Sequence, residues 1–287
     1  MTGWILYDAK QYEKNRWFAH ELLKNCSSFC DMRIVIAEKL RFGIRGDQPC
    51  MTFGGKPVPR PDFVIMRTIY PLLSSFLENC GARVFNDSRT SRVCNDKRLT
   101  HLVLAASGVP MMNTAFFDRA FFSPESLRGF RFPAVVKSAA GHGGSEVFPA
   151  DSVEELLSVV RTLHDDRFLV QERFSPAGSD LRVYVLGGEI IGAALRRSDT
   201  LKSNLSLGGT ATAHMLAPAE RETVGKVLNA LPFSPDFIGV DFLYADGKMI
   251  FNEIEDVVGT RMLYQTGDLD AARLYADYIK KATESLR

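Results

Sequence analysis

The chain has 287 residues, 46% hydrophobic and 24% charged, with 35 basic against 34 acidic side chains. Such a composition suits an ordinary globular protein of one large or two to three smaller domains, and a formal net charge of +1 excludes a general nucleic-acid or membrane-surface binder, which needs a basic excess. No segment approaches the roughly 20 apolar residues of a membrane helix, and the odd, scattered cysteines Cys26, Cys30, Cys50, Cys80 and Cys94 suit reduced thiols in a cytoplasm and complete no zinc pattern.

The start, "MTGWILYDAK", reads as a first strand rather than a secretory signal. Strand-like runs follow at Met32–Glu38 and Asp62–Arg67, and Trp17, Phe18, Leu22 and Leu23 share one face of an intervening helix. "GGKPVPRP" is a loop by its Gly and Pro content, and "YPLLSSFLENCGARVFN" gives a helix stopped near Gly81 and a short strand Arg83–Asn86. This order predicts an N-terminal α/β domain over residues 1–86 with a mainly parallel sheet.

A second unit, 87–170, opens with a helix capped by Asn95 or Asp96 and running to Ser107 before Gly108. Next come "FPAVVKSAAGHGGSEVFPA", a helix near Val153–Leu163, and "FLVQERF". The third unit, 171–287, begins with two strands about Gly187-Gly188, a strong hairpin signal. "SNLSLGGTAT" reads as a loop, Pro218 starts a helix, and "DLDAARLYADYIKKATESL" closes the chain as an amphipathic helix.

Four stretches carry residue types that could do chemistry. In "FIGVDFLYADGKMIFNEIED" two apolar arms flank an Asp-Gly turn yet hold Asp241, Glu253, Glu255 and Asp256. A buried carboxylate is costly unless paired or bound to a cation. With a loop of Ala245-Asp246-Gly247, Tyr244 pairs with Lys248, Glu253 lies across from Gly239, and Asp241, Glu253 and Glu255 share one face. Diagonal neighbours about 7–8 Å apart could then share one or two Mg²⁺ or Mn²⁺ ions. A loop of Asp246-Gly247 alone would send Asp241 to the other face, and a solvated sheet face is the plain alternative.

"VVKSAAGHGGSEV" ends an apolar strand in Lys137 and follows it with Gly141, Gly143 and Gly144, a backbone-rich loop able to receive phosphate, or else a simple turn. It is neither a Walker loop nor a dinucleotide-binding turn. Gln171 and Glu172 end a strand at a unit junction, where a cleft or a plain strand end is expected. Asp180, Arg182, Arg196, Arg197, Lys202 and Asn204 form a polar group whose guanidiniums suit anionic substrates.

In this order the pieces resemble the ATP-grasp superfamily, and within it the ribosomal-S6-modification and LysX-like carboxylate–amine ligases, from about Asn86 onward. The resemblance implies a three-lobed ATP-grasp fold of mixed α/β and α+β character, in which two α+β lobes enclose the nucleotide. "NDSRTSRVCNDK" makes Lys97 a first ATP lysine, "VVK" makes Lys137 a second with Gly143 and Gly144 over the phosphates, and "VQERF" places Gln171, Glu172 and Arg173 at the adenine. "DLR" implies Asp180 near the ribose and Arg182 near phosphate or substrate, and "KSNLSLGG" places Lys202, Ser203 and Asn204 beside the phosphates. "VD…NEIE" makes Asp241, Glu253 and Glu255 the metal ligands. Arg182, Arg196 and Lys202 would be catalytic, with Arg182, Arg196 and Arg261 facing the substrate carboxylate.

Three positions depart from the family pattern: Glu255 stands for its Asn, Lys202 for its Arg, and "DVVGTRMLY" for its substrate-facing "SPGLEGIE". The implied reaction is ATP- and Mg²⁺-dependent amide formation through an acylphosphate, on small-molecule or peptide carboxylates and amines. Mn²⁺ would substitute for Mg²⁺, and neither nucleic acid nor membrane is a partner. A homo-oligomer follows from analogy. The same site could instead phosphorylate a hydroxyl, or bind ATP without turnover.

Overall fold

The structure is a computed structural model that describes the whole chain except Ser145, Asp246, Asp268 and residues 174–178, 198–209 and 285–287. Strands β1 (Thr2–Tyr7), β2 (Asp31–Ile36), β6 (Phe63–Met66) and β7 (Arg83–Phe85) form an all-parallel sheet in the order β2-β1-β6-β7. The β1 and β6 runs are almost wholly buried, as parallel strands covered on both faces must be. Helices α1 (Ala9–Cys26) and α2 (Pro71–Asn79) supply the crossovers.

Between β2 and β6 the chain makes a small antiparallel sheet, β3 (Leu40–Arg45), β4 (Gln48–Phe53) and β5 (Lys56–Pro57), where the sequence predicts only a Gly/Pro loop. Its strands are mostly exposed and carry no clean apolar alternation, so they leave little periodic signal.

Two short helices follow, α3 (Ser88–Cys94) and α4 (Lys97–Leu104). Asp96 is the cap of α4, its carboxylate accepting the Arg98 N–H at 3.0 Å. The helix ends at Leu104, short of the expected Ser107, and Ala106 turns into the left-handed region at φ 62°. Strands β8 (Thr114–Asp118), β9 (Ala134–Ser138), β10 (Val147–Ala150) and β11 (Arg167–Glu172) make an antiparallel sheet in the order β10-β9-β11-β8, backed by α5 (Val153–Thr162).

A five-stranded antiparallel sheet completes the fold: β12 (Ser179–Leu186), β13 (Glu189–Arg197), β14 (Thr210–Ala213), β15 (Phe237–Ala245) and β16 (Lys248–Glu255), ordered β14-β13-β12-β15-β16. Residues 210–213, expected in a loop, are its edge strand. Helix α6 (Pro218–Ala230) packs on one face, and α7 (Arg261–Thr266) and α8 (Ala271–Ala282) follow β16. The largest core joins β1, α1, β12, β15 and α8, so the last helix seals the face of the first sheet. Among the described residues no helix is long and apolar enough to cross a membrane.

Candidate active site

The β15–β16 hairpin pairs Ala245 with Lys248, Tyr244 with Met249 and Phe242 with Phe251. That is the short loop, not the three-residue one; Asp246 lies outside the described residues, and Gly247 takes φ 73°. A regular ladder from this turn would send Asp241 away from the glutamates. The register shifts at Asn252, however, and beyond it Asp241 pairs with Glu253 and Gly239 with Glu255. One bulged residue offsets a period of two and restores the common face. Asp241, Glu253 and Glu255 each bring an oxygen to within 4.8 Å of the others.

The cluster is embedded in cations. Arg182 faces Asp241 across β12 and β15 and grips it through Nε at 2.7 Å and Nη2 at 2.6 Å, while the same Nη2 reaches Glu255 at 2.7 Å. Arg196 donates Nη2 to Asp241 at 2.6 Å and Nε to Asp180, its cross-strand partner, at 2.7 Å. Burial raises the Asp241 pKa, but Arg182 and Arg196 outweigh it and hold the carboxyl down to about 2. Lys97 sits 3.3 Å from Glu253 and also donates to the Gly141 carbonyl. Glu253 is likewise held below its ordinary range: burial pushes it up, and Lys97 pulls it down further. Glu255, desolvated and beside two other carboxylates, is raised despite Arg182. Lys137 donates to Asn252 Oδ1 at 2.7 Å, and burial lowers its pKa from 10.5 to about 8.

These partners bear on two sequence expectations. Arg182 and Arg196 are not free cations awaiting a substrate carboxylate; both are buried against Asp241, with Arg196 also on Asp180. Asp180 meets Arg196 through both of its oxygens. The reason is register: buried guanidiniums and carboxylates on neighbouring strands pair where they meet.

The oxygen donors fit a divalent cation. Glu253 and Glu255 are half-buried with oxygens turned to the cluster, and a carboxylate has about four lone-pair sites, so Asp241 keeps one beside its three N–H donors. All-oxygen ligation suits Mg²⁺.

On the adenine side the correction is partial. The Glu172 N–H donates to Asn113 O at 3.1 Å and the Arg173 N–H to Pro133 O at 2.9 Å, so neither amide remains for a base. Only carbonyl oxygens there could receive an exocyclic amine. Gln171 is buried, its amide donating to Thr114 Oγ1 and meeting His101 Nε2 at 3.0 Å. His101 Nδ1 lies 2.8 Å from the Lys97 carbonyl, which can only accept, so the proton is on Nδ1 and Nε2 receives the amide. Burial lowers the His101 pKa from 6.5 to about 4. This neutral imidazole ties Lys97's helix to Gln171.

Gly143 and Gly144 adopt φ 62° and 72° in the loop after β9. Lys202, Ser203 and Asn204 lie outside the described residues. Arg261 is exposed at the start of α7 and makes no ion pair among the described residues.

A cavity of about 260 Å³ opens beside Glu255, between the carboxyl end of the parallel sheet and the end of β16. Asp8, Arg67, Asn95, His142, Glu255 and Asp256 line it. Open α/β sheets bind ligands at the carboxyl ends of their strands, and Arg67 closing the apolar run "DFVIMR" was the available signal for it. Sequence reasoning also passed over Asn252 and His101, whose roles depend on a bulge and on a partner 70 residues away.

A family model described as the RimK-like ATP-grasp domain matches residues 94–279. Human (Homo sapiens) N-acetylaspartylglutamate synthase A is 33% identical over 263 residues, covering 86% of this chain and 67% of that protein. A probable alpha-L-glutamate ligase of Maridesulfovibrio salexigens is 28% identical over 264 residues, 88% of this chain and 87% of that protein. Among solved structures, a D-cycloserine synthetase superposes with a TM-score of 0.77 at 17% identity, covering 99% of this chain and 100% of that one. A D-Ala:D-Ser ligase from Enterococcus faecalis also gives 0.77 at 17%, with 98% of each chain covered.

Proposed function

Because the chain belongs to the RimK-like ATP-grasp family and is an ATP-dependent carboxylate–amine ligase, we propose that it joins a small or peptide carboxylate to the amine of a free amino acid, with glutamate the first candidate. The names of the curated relatives support the glutamate, which an N-acetylaspartylglutamate synthase and an alpha-L-glutamate ligase both carry. The observation that carries the site assignment is the bulge at Asn252, which sets Asp241, Glu253 and Glu255 on one face beside Lys97 and Lys137.

The acceptor carboxylate attacks the γ-phosphorus of ATP, the bridging oxygen leaves with ADP, and an acylphosphate forms. The amine attacks the acyl carbon and gives up a proton, and phosphate departs. The sum is one amide, one ADP and one phosphate. Lys97 and Lys137 face the phosphate oxygens and neutralise them, and the loop of Gly141, Gly143 and Gly144 covers them and keeps water from the acylphosphate. Mg²⁺, or Mn²⁺ in its place, held by Asp241, Glu253 and Glu255, supplies positive charge against the transferring phosphoryl group. Arg182 and Arg196 act through Asp241, fixing its orientation. Lys202, Ser203 and Asn204 complete the phosphate contacts in this reading.

The test is ADP and phosphate release from Mg²⁺–ATP with N-acetylaspartate or citrate, each with and without L-glutamate, and with hydroxylamine as a trap. Equal ADP and phosphate, requiring both acid and amine, and a hydroxamate in the trapped reaction are expected. ADP without phosphate would make the protein a kinase. A nucleotide-induced rise in Tm with no ADP across wider acid and amine pools would make it a binder.

A further inference from the structure

Arg67 closes β6 at 4% exposure, on the wall of the cavity beside Glu255. One Nη2 bond to the Val258 carbonyl at 2.8 Å is the only hydrogen bond of its side chain among the described residues, and its guanidinium carbon lies 5.2 Å from the Phe18 ring centre. Its Nε is buried with no hydrogen-bond partner, and among the described residues no carboxylate lies within ion-pair distance. A guanidinium offers five donors and stays charged, so a buried one so poorly met is an open demand for an anion. Arg182 and Arg196, equally buried, each have carboxylates in contact.

The cavity also carries the other sign, Asp8 among its lining residues. Glu255 and Asp256 line it, and Asn95 donates to Asp256 at 2.7 Å. A space lined by both a guanidinium and carboxylates complements a zwitterion. A dicarboxylate without an ammonium would leave the cavity's carboxylates facing like charge, which favours the amine substrate over the acid here. The volume of about 260 Å³ accommodates one amino acid.

We propose that this cavity binds the amino-acid substrate as its zwitterion, with Arg67 receiving the α-carboxylate and Glu255 and Asp256 facing the ammonium. The proposal rests on the ligase reading above and makes Arg67 the residue that selects α-amino acids over simple amines.

The experiment is calorimetric titration of each of the twenty L-amino acids into the full chain loaded with Mg²⁺ and AMP-PNP, for wild type, Arg67→Ala and Arg67→Lys. At least one amino acid should bind wild type, glutamate being the first expected. Arg67→Ala should weaken it more than about 100-fold, a loss in keeping with a bidentate carboxylate contact, with AMP-PNP affinity unchanged. Arg67→Lys should recover part of it. The same amino acid with its α-carboxylate replaced by the neutral carboxamide should bind wild type more than about 100-fold weaker. Equal affinity for the two on wild type overturns the proposal even if the variants do not fold. So does undiminished amino-acid binding in Arg67→Ala, or no amino acid binding wild type. Amine-dependent ADP release in that last case would leave the ligase reading standing and the Arg67 assignment lost.

Discussion

Asp241 is fully enclosed and accepts three N–H donors from Arg182 and Arg196. Removing its charge weakens three buried hydrogen bonds while Arg182 keeps Glu255 and Arg196 keeps Asp180, so Asp241→Asn should cost about 1.5–3 kcal/mol in urea unfolding. Glu253 is different: it is half-buried, and Lys97 keeps its bond to the Gly141 carbonyl without it. Glu253→Gln should therefore fold with a loss near 1 kcal/mol and lower kcat roughly 10²–10³-fold. Wild-type kcat in that variant would remove Glu253 from the reaction centre. His101 gives a pH signature. Its folded pKa, about 4, lies below the unfolded 6.5, so the unfolded chain takes the proton first as pH falls. Its contribution is whole above about pH 6.5 and is lost progressively toward pH 4, by about 3 kcal/mol in all. His101→Asn should flatten the acid limb of stability against pH by that amount; an unchanged slope would contradict the buried neutral imidazole.

At the scale of elements, the hairpin divides its work between turn and bulge. The short turn sets which residues pair, and Asn252 sets which face the acids take. Asn252 also presents Oδ1 to Lys137. In Asn252→Ala the bulge keeps its backbone while the buried ammonium loses its hydrogen-bond partner. Metal affinity should stay unchanged and KM for ATP should rise roughly tenfold, the scale of one charge-assisted bond; a shift in metal affinity instead would mean that Asn252 supports the acids and not the lysine. The apolar elements β1, β6, β9, β11 and β12 were legible from their runs, because burial on both faces demands continuous hydrophobicity. The β3–β5 sheet was not, since its exposed strands leave no such pattern.

Over the whole molecule, Asn86 fastens the end of the parallel sheet to the acidic hairpin. Its amide donates to the carbonyls of Phe237 at 2.7 Å and Asp256 at 2.8 Å, and its oxygen accepts the N–H groups of Asp236 and Phe237. Arg83 and Tyr278 reinforce the joint through Asp236. Asn86→Ala would leave four buried backbone groups unmet and should lower unfolding stability by about 3–5 kcal/mol; a loss below about 1 kcal/mol would show that water replaces the side chain there. The family and the residues that meet at the acidic cluster were readable from the sequence alone, because they are short motifs in fixed order: Lys97, Lys137, then Asp241, Glu253 and Glu255. Residue type and chain order determine which chemistry is present. Only the tertiary structure decided how the charges combine, because Arg182 meets Asp241 across 59 residues and Arg67 is buried without an ion pair among the described residues. Pairing of charges depends on strand register and on which chain ends converge, and neither is written in any local stretch.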